Sequence, residues 1–200
     1  MTKNRVLKQQ AKAQLGNCIF AKNWLLMVVV GLAIGVVSAV ANNPLFLGGI
    51  LGWVIAGAVS YGLARITVNL ARGGEKINFA DLIKGFTEGF FKIFLLGFMS
   101  SLFIFLWTLL FFIPGLVKSY SYAMAPYIMQ DDPSKGWNQC ITESRQMMKG
   151  HKAQLFWLDV SFIGWIIVSC LTGGIGFIFL APYKRQAYAN FYLAVKEAQE

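Results

Sequence analysis

The chain has 200 residues, of which 56% are hydrophobic and only 14% are charged, against about 25% in an average soluble domain. So few charges cannot cover a soluble surface, and a 15% share of aromatic residues excludes a disordered chain. Three cysteines are too few for a disulfide scaffold, so the composition predicts a single integral membrane domain over residues 1–200.

The charge balance predicts contact with anionic lipid and not with nucleic acid. Lys and Arg number 18 against 9 Asp and Glu, which gives a net charge of +9. In membrane proteins such an excess collects in cytoplasmic segments, facing the anionic head groups of the inner leaflet. Zinc-finger spacing and clustered aromatic–basic platforms, which accompany nucleic-acid binding, are lacking. The predicted partner is therefore a bilayer with anionic head groups, and no nucleic acid is expected.

The first third of the chain predicts a basic surface helix followed by a membrane hairpin. Residues 1–23 are basic and place apolar side chains at helical spacing, which is typical of a helix lying at the membrane interface. Two uncharged runs follow, 24–41 and 45–64, each close to the roughly 20 residues that a spanning helix needs. Asn42-Asn43-Pro44 between them is a turn signal, so the two runs form the first hairpin.

Two longer apolar stretches begin at Ile93 and at Ala153. Each contains a turn signal part-way along, Pro114-Gly115 in one and Thr172-Gly173-Gly174 in the other. If the chain reverses at these points, each stretch opens a hairpin whose returning helix follows the turn. The predicted spans of these two hairpins are 93–112, 115–130, 153–171 and 175–194.

The number of crossings has two solutions. Six crossings in three hairpins keep the charged segments and both termini in the cytoplasm, as the positive-inside rule favours. Four spanning helices are the alternative, but they place the five Lys and Arg of residues 118–152 outside. The sequence therefore predicts an all-α membrane protein, a six-helix transmembrane bundle with interfacial amphipathic helices. Lys184 and Arg185 then lie within a returning helix and need a partner or a water-filled cavity.

An amphipathic helix is predicted between the second and third hairpins, from Pro133 to Lys149. Asp131-Asp132-Pro133 has the residues of a helix start, and Gly150 ends the helix. Four charged residues would each be costly at mid-membrane, so the helix is expected to lie flat at head-group level. Its predicted apolar face comprises Trp137, Cys140, Ile141, Ser144, Met147 and Met148.

Glycines close a polar helix ahead of each predicted hairpin, at Gly16, Gly89 and Gly150. This arrangement raises the hypothesis of three repeated units, each made of an interfacial helix and a hairpin. The spacings between the glycines are uneven, and glycine ends helices of every kind.

Two motifs give the second half of the chain a recognisable character. They are S-R-x-M-M-x-G-H-K at 144–152 and D-x-S-F-I-G-W at 159–165. With these motifs the chain resembles a bacterial family of integral membrane proteins catalogued as domain of unknown function 975. The resemblance implies a location in the bacterial cell membrane, with several crossings. It brings no activity, substrate, cofactor or catalytic residue.

Asp159 is the only acid inside the predicted spans, which makes it a candidate functional residue. It precedes the turn at residue 173 by 14 positions, so an antiparallel partner helix places residue 187 at the same level. Asp159 is therefore predicted to pair with Arg185 or Lys184. The pair is either part of a proton or ion relay or a structural ion pair that holds the hairpin closed.

A second candidate site is the polar cluster of Ser144, Arg145, Lys149, His151 and Lys152. It can hold anionic lipid head groups or a membrane-protein partner, or it can simply settle a basic helix at the interface. Gly31 and Gly35 form a G-x-x-x-G pair, which predicts either a homo-oligomer contact or close packing within the chain.

Enzyme and cofactor signatures are lacking from the sequence. One His and three scattered Cys do not make a structural zinc site, and no nucleophile-elbow, HExxH or Walker motif is present. We therefore expect no catalytic residue, no metal and no cofactor. The predicted function is a non-enzymatic scaffold or accessory subunit in the bacterial cell membrane that contacts lipid or a membrane partner. The alternatives are a small transporter or permease component and, third, a lipid-modifying membrane enzyme.

Overall fold

The computed structural model describes residues 4–16, 21–41, 50–74, 90–110 and 112–199, and every regular element in these ranges is an α-helix. The predicted all-α class is confirmed. The helices are α1 (Asn4–Gln14), α2 (Lys22–Ala41), α3 (Ile50–Ala71), α4 (Phe90–Leu110), α5 (Phe112–Tyr122), α6 (Ala125–Asp131), α7 (Trp137–Met147), α8 (Lys152–Val160), α9 (Ile163–Leu171) and α10 (Ile175–Glu197).

The last helix, α10, lies at the centre of the molecule and packs against α1, α2, α3 and α9. Its buried face alternates small and large side chains, which lets several helices approach it closely. The buried residues of this face include Gln186, Ala187, Ala189, Phe191, Tyr192 and Val195. The long polar side chains that flank this face are therefore carried into the middle of the bundle.

The α4–α5 and α9–α10 hairpins close in the same way, on a glycine that faces a hydroxyl residue seven positions earlier. A Cβ added at Gly115 would lie 2.7 Å from the Thr108 Cα, and one added at Gly176 would lie 2.7 Å from the Ser169 Cα. Gly176 follows Gly115 by 61 positions, and Ser169 follows Thr108 by the same 61. This geometry supports the repeat hypothesis for the second and third hairpins.

The second hairpin does not turn at Pro114-Gly115, the position predicted for it. α5 begins at Phe112, so both residues belong to its first turn. Proline is favoured there because its missing N–H is one that a helix start leaves unpaired anyway. In the third hairpin the reversal uses Gly173 and Gly174, which have φ of 65° and 92°. The first predicted turn, Asn42-Asn43-Pro44, lies outside the described residues.

Two of the predicted spans are each built from two helices. Pro126 lies in the first turn of α6 and has no N–H to bond back into α5, so the helix breaks at Ala123 and Met124. α8 and α9 are separated at Ser161, whose hydroxyl donates to the Leu158 carbonyl oxygen over 2.6 Å. The predicted spans 115–130 and 153–171 are therefore bent and not continuous helices.

The basic N-terminal helix α1 is packed into the bundle on one side. Leu7, Ala11 and Leu15 are fully buried, which a helix resting only on lipid would not show. The side chain of Asn4 bonds the Gln154 carbonyl oxygen in α8 over 3.3 Å, and that of Gln14 bonds the carbonyl oxygen of the last α3 residue over the same distance. α1 therefore crosses α10 as a strap from α8 to α3.

The helix predicted to begin at Pro133 begins at Trp137 instead. Asp132 is occupied by a local turn, since its carboxylate accepts hydrogen bonds from the backbone N–H and the hydroxyl of Ser134. The N-cap is Gly136, whose N–H donates to the Gln139 side chain over 3.1 Å. On the predicted apolar face Cys140, Ile141, Ser144 and Met148 are buried, and Trp137 and Met147 pack partly buried against the core.

Two helical segments in the described part of the chain are long and apolar enough to cross a membrane, Phe90–Leu109 and Lys152–Leu171. Only 11% of the first segment and 22% of the second are buried inside the molecule. A core helix of a soluble protein would be mostly buried.

Beside Gly31, no described atom lies within 4 Å of where a Cβ would stand, so that glycine is not packed against a described neighbour.

Candidate functional site

The Asp159 carboxylate lies where three helices meet. Its Oδ1 is 3.0 Å from the Lys184 Nζ of α10. Its Oδ2 accepts the hydroxyl of Tyr188, also of α10, over 2.7 Å and the hydroxyl of Tyr120 of α5 over 3.1 Å. We call these four residues the Asp159 cluster. The carboxylate thus has one cation and two phenol donors, and its side chain is 20% exposed.

The predicted alternative partner, Arg185, points away from Asp159. Arg185 has no ion pair or hydrogen bond within the described part of the chain, although the preceding residue, Lys184, forms a salt bridge with Asp159. Successive helix positions differ by about 100°, so the two side chains leave α10 on different faces. Their positions in the chain place both cations at the level of Asp159, but the chain positions alone do not show which of them faces it.

Arg185 lines a cavity of about 180 Å³ between α3, α6 and α10. The walls are polar on one side, from Thr67, Tyr127 and Tyr188. Ala123 and Pro126, at the break between α5 and α6, form the far side. We call this space the polar cavity. No carboxylate is among the described residues that line it.

A second cavity of about 450 Å³ lies between α3, α4 and α5 and is mainly apolar. Phe94, Phe98 and Ile104 of α4 form much of its wall, together with the hydroxyl-bearing Ser100 and Ser101. We call it the apolar cavity. Ala123 and Pro126 line it as well, so the two cavities adjoin at the proline break.

A cluster that the sequence analysis missed lies at Asp131, the last residue of α6. Its carboxylate accepts from Arg72, at the end of α3, over 2.8 Å. Tyr192 and Lys196 of α10 each donate to it over the same distance. We call these four residues the Asp131 cluster. An acid at a helix C-terminus opposes the helix dipole, and two cations compensate it here.

These donors also set the ionisation of Asp131. Burial alone would raise the pKa of this carboxyl. The hydrogen bonds from Lys196 and Tyr192 and the charge of Arg72 outweigh burial, so the pKa lies below its usual value. Asp131 is therefore ionised at neutral pH and joins the ends of three helices. The sequence signal for this cluster is indirect, because Asp131-Asp132-Pro133 has the residues of a helix start.

The predicted basic cluster is divided by the structure. Ser144 does not belong to a contact surface, because it is fully buried and its hydroxyl donates to the Ser121 carbonyl oxygen over 2.8 Å. Arg145 and Lys149 are exposed, and His151 and Lys152 are half-buried beside them. We call these last four residues the basic face. None of the four makes an ion pair within the described residues.

The described residues contain no group of three or more His, Cys, Asp or Glu side chains placed to hold a metal ion. Asp131, Asp132, Glu143 and Asp159 each have a lysine or arginine within 4.0 Å instead. Lys135, for example, lies 2.8 Å from Glu143 and 3.9 Å from Asp132. Arg185 beside the polar cavity and the four residues of the basic face are among the described cations that have no ion pair, and both features suit an anion.

The family comparison covers nearly the whole chain. The model described as "Protein of unknown function (DUF975)" matches residues 1–121 and 112–199. No curated protein matches the chain, and no solved structure matches it. The S-R-x-M-M-x-G-H-K and D-x-S-F-I-G-W motifs, from which the resemblance was inferred, both lie within the second match. The chain belongs to the DUF975 family of proteins of unknown function.

Proposed function

We propose that the chain is a multi-pass protein of the bacterial cell membrane that serves as a non-enzymatic scaffold or accessory subunit. On this proposal it contacts anionic lipid, or a membrane partner, through the basic face at its cytoplasmic end. The observation that carries the proposal is the contrast between paired acids inside the bundle and unpaired cations on the basic face.

The surface of the hairpins supports membrane placement. Large apolar side chains are exposed along α4 and α9, which lie within the two segments long enough to span, Phe90–Leu109 and Lys152–Leu171. Contiguous apolar surface of this kind marks a membrane or partner contact, because water would disfavour it strongly. The most exposed of these residues are Phe91, Phe105, Leu109, Trp165, Ile167 and Leu171.

The Asp131 cluster supports six crossings over four. Four crossings put residue 131 outside the cell, while residues 72 and 196 stay in the cytoplasm. Asp131 lies 2.8 Å from both Arg72 and Lys196, so all three residues belong on the same side of a bilayer. Six crossings satisfy this condition, with both termini cytoplasmic.

A structural role for Asp159 supports the non-enzymatic part of the proposal. A relay needs a chain of groups that exchange protons across the bundle. Asp159 is instead neutralised by Lys184, and its remaining neighbours are two phenols that already donate to it. No second carboxylate or histidine joins the cluster among the described residues. The pair thus holds α8 against α10.

The basic face is tested by comparing lipids around the reconstituted protein. The triple variant Arg145→Gln, Lys149→Gln, Lys152→Gln removes three of its cations. In the native chain, brominated phosphatidylglycerol should quench tryptophan fluorescence more strongly than brominated phosphatidylcholine, by about twofold or more in relative binding. The triple variant should lose most of this preference, because the cations that attract the head groups are gone.

A matched control removes the same charge elsewhere. Arg5, Lys12 and Lys22 are exposed cations of the N-terminal region, and their replacement by Gln should leave most of the preference. Equal losses in both triple variants would show that total charge, and not the basic face, determines the lipid contact. No preference in the native chain would leave a protein partner as the ligand of that face.

A transporter is the second candidate, favoured by the polar cavity beside a broken helix. Discontinuous helices often line transport sites, and Arg185 lies next to the α5–α6 break. A transporter must expose this position to each side of the membrane in turn. Cysteine at position 185 should then react with impermeant maleimide from both sides, whereas a scaffold allows reaction from one side at most.

A further inference from the structure

Arg185, in the predicted returning helix of the third hairpin, has no counter-charge among the described residues, and it is exposed where it lines the polar cavity. Lys184 has Asp159, and the basic residues Arg72 and Lys196 share Asp131. Arg185 has only the polar cavity, and its described walls contain no carboxylate. A charge held at membrane depth needs an opposite charge or water, and a guanidinium offers five N–H donors to an anion.

The hydroxyls around Arg185 are largely engaged already. Thr67 donates to the carbonyl oxygens of Leu63 and Ala64 over 2.9 and 3.0 Å, and Tyr188 donates to Asp159. Because these hydroxyls already donate to other acceptors, they do not offer hydrogen bonds to an anion in the cavity. The guanidinium is therefore the group that would bind an anionic head group, in the bidentate manner typical of arginine and phosphate.

The apolar cavity adjoins the polar cavity that Arg185 lines, and it opens toward the apolar surface. Its volume of about 450 Å³ falls in the range of about 300–1,000 Å³ that small-molecule sites occupy. Phe98 lines it and is 39% exposed, so the cavity reaches the face that membrane placement assigns to lipid. Ala123 and Pro126 line both cavities, so the apolar cavity and the polar cavity share a wall at the proline break.

We propose that the two cavities form one binding site for an anionic membrane lipid, with its head group on Arg185 and an acyl chain in the apolar cavity. The charge selects an anion, and the adjoining apolar space selects an amphiphile over a free ion. The site is distinct from the basic face, though it rests on the membrane placement proposed above. A lipid held there would fill the gap that Pro126 opens between α3, α4 and α6.

Native mass spectrometry of the full chain in a neutral detergent tests the site. The probes are dioleoyl phosphatidylglycerol and dioleoyl phosphatidylcholine, supplied together in equal amounts. The native chain should retain one phosphatidylglycerol with a preference of about tenfold, as expected for a charge-assisted contact. Arg185→Gln should reduce this preference to near unity, and Arg185→Lys should keep part of it.

Two further variants separate this site from other sources of binding. Ser100→Leu narrows the apolar cavity and should weaken lipid retention several-fold while leaving Arg185 in place. The Arg145→Gln, Lys149→Gln, Lys152→Gln variant removes only the basic face and should still retain the lipid. Thermal unfolding of each variant confirms that it is folded before its lipid is counted.

Three outcomes would overturn the site. Undiminished preference in folded Arg185→Gln would remove the cation from the contact. Complete displacement by excess inorganic phosphate, with no effect of Ser100→Leu, would leave an ion site without an acyl chain. Loss of the lipid in the basic-face variant alone would transfer the contact to that face, which supports the proposed function while contradicting the internal site.

Discussion

The α4–α5 and α9–α10 hairpins share one closure but differ in what they carry. Both close on a glycine set against a hydroxyl residue seven positions earlier, 61 positions apart in the chain. At that same offset, Asp159 corresponds to Phe98, and Lys184 corresponds to Ala123. One hairpin thus builds an ion pair where the other builds the wall of the apolar cavity.

The two hairpins therefore share the same backbone closure although they place different side chains inside the bundle. The close helix approach depends on Gly115 and Gly176, where no side chain fits. The polar contacts depend on a few side chains that point into the bundle from α10 and α8. A change at either closing glycine should therefore have a similar effect on its own hairpin, while changes to the Asp159–Lys184 pair should have no counterpart in the α4–α5 hairpin.

The largest effect is expected from the ion pair. Asp159→Asn should lower the free energy of unfolding by about 1–3 kcal/mol, because the largely enclosed carboxylate loses its charge-assisted contacts to Lys184, Tyr188 and Tyr120. Reversible unfolding in mixed micelles measures this loss. The matched change at the corresponding position, Phe98→Leu, should cost less, since it only alters the wall of a cavity.

Double-mutant cycles then separate the two neighbouring cations. Asp159→Asn and Lys184→Gln should be coupled by about 1 kcal/mol, whereas Asp159→Asn and Arg185→Gln should be additive within about 0.5 kcal/mol. Coupling of Asp159 to Arg185, and not to Lys184, would reverse the assignment of partners.

The closing glycines should give smaller and equal effects. Gly115→Ala and Gly176→Ala should each cost about 1–2 kcal/mol, because the new Cβ meets a backbone Cα of the paired helix. Gly164→Ala in α9 is the control, since open space surrounds its Cβ position and alanine favours the helix. Loss of stability in only one of the two closing variants would show that the hairpins are not equivalent.

The smallest effect is expected at the Asp131 cluster, and it depends on pH. The pKa of Asp131 is lowered in the folded chain, so its stabilising contribution is present above the unfolded pKa of about 4 and is lost as pH falls through the folded pKa. Asp131→Asn should cost about 1 kcal/mol at pH 7 and progressively less below pH 4, because its partners are partly exposed. A difference that stays constant down to pH 2 would contradict this ionisation.

The part of the site that sequence could predict is the part fixed within one hairpin. A turn at residue 173 places Asp159 at the level of residue 187 in α10. Lys184 precedes residue 187 and Tyr188 follows it, and both contact Asp159. Tyr120 could not be anticipated, because it reaches Asp159 from the other hairpin. The register between hairpins depends on packing, which no local pattern encodes.

The errors of the sequence analysis have a similar origin. Asp131-Asp132-Pro133 carries the residues of a helix start, but α6 ends at Asp131 because Arg72 and Lys196 stabilise a charge that the helix dipole disfavours. The burial of α1 was visible in part, as Leu7, Ala11 and Leu15 recur every four residues. That stripe predicts an apolar face without saying whether lipid or protein covers it.

The measurement that tests the central proposal most directly is cysteine labelling of intact cells. In a background without native cysteines, Ser134→Cys reports on the segment before α7 and Thr172→Cys on the α9–α10 turn, and both positions are exposed. Six crossings predict that an impermeant maleimide labels Thr172→Cys in intact cells and Ser134→Cys only after permeabilisation. Labelling of Ser134→Cys from outside would contradict the six-crossing bundle and, with it, the cytoplasmic placement of the basic face.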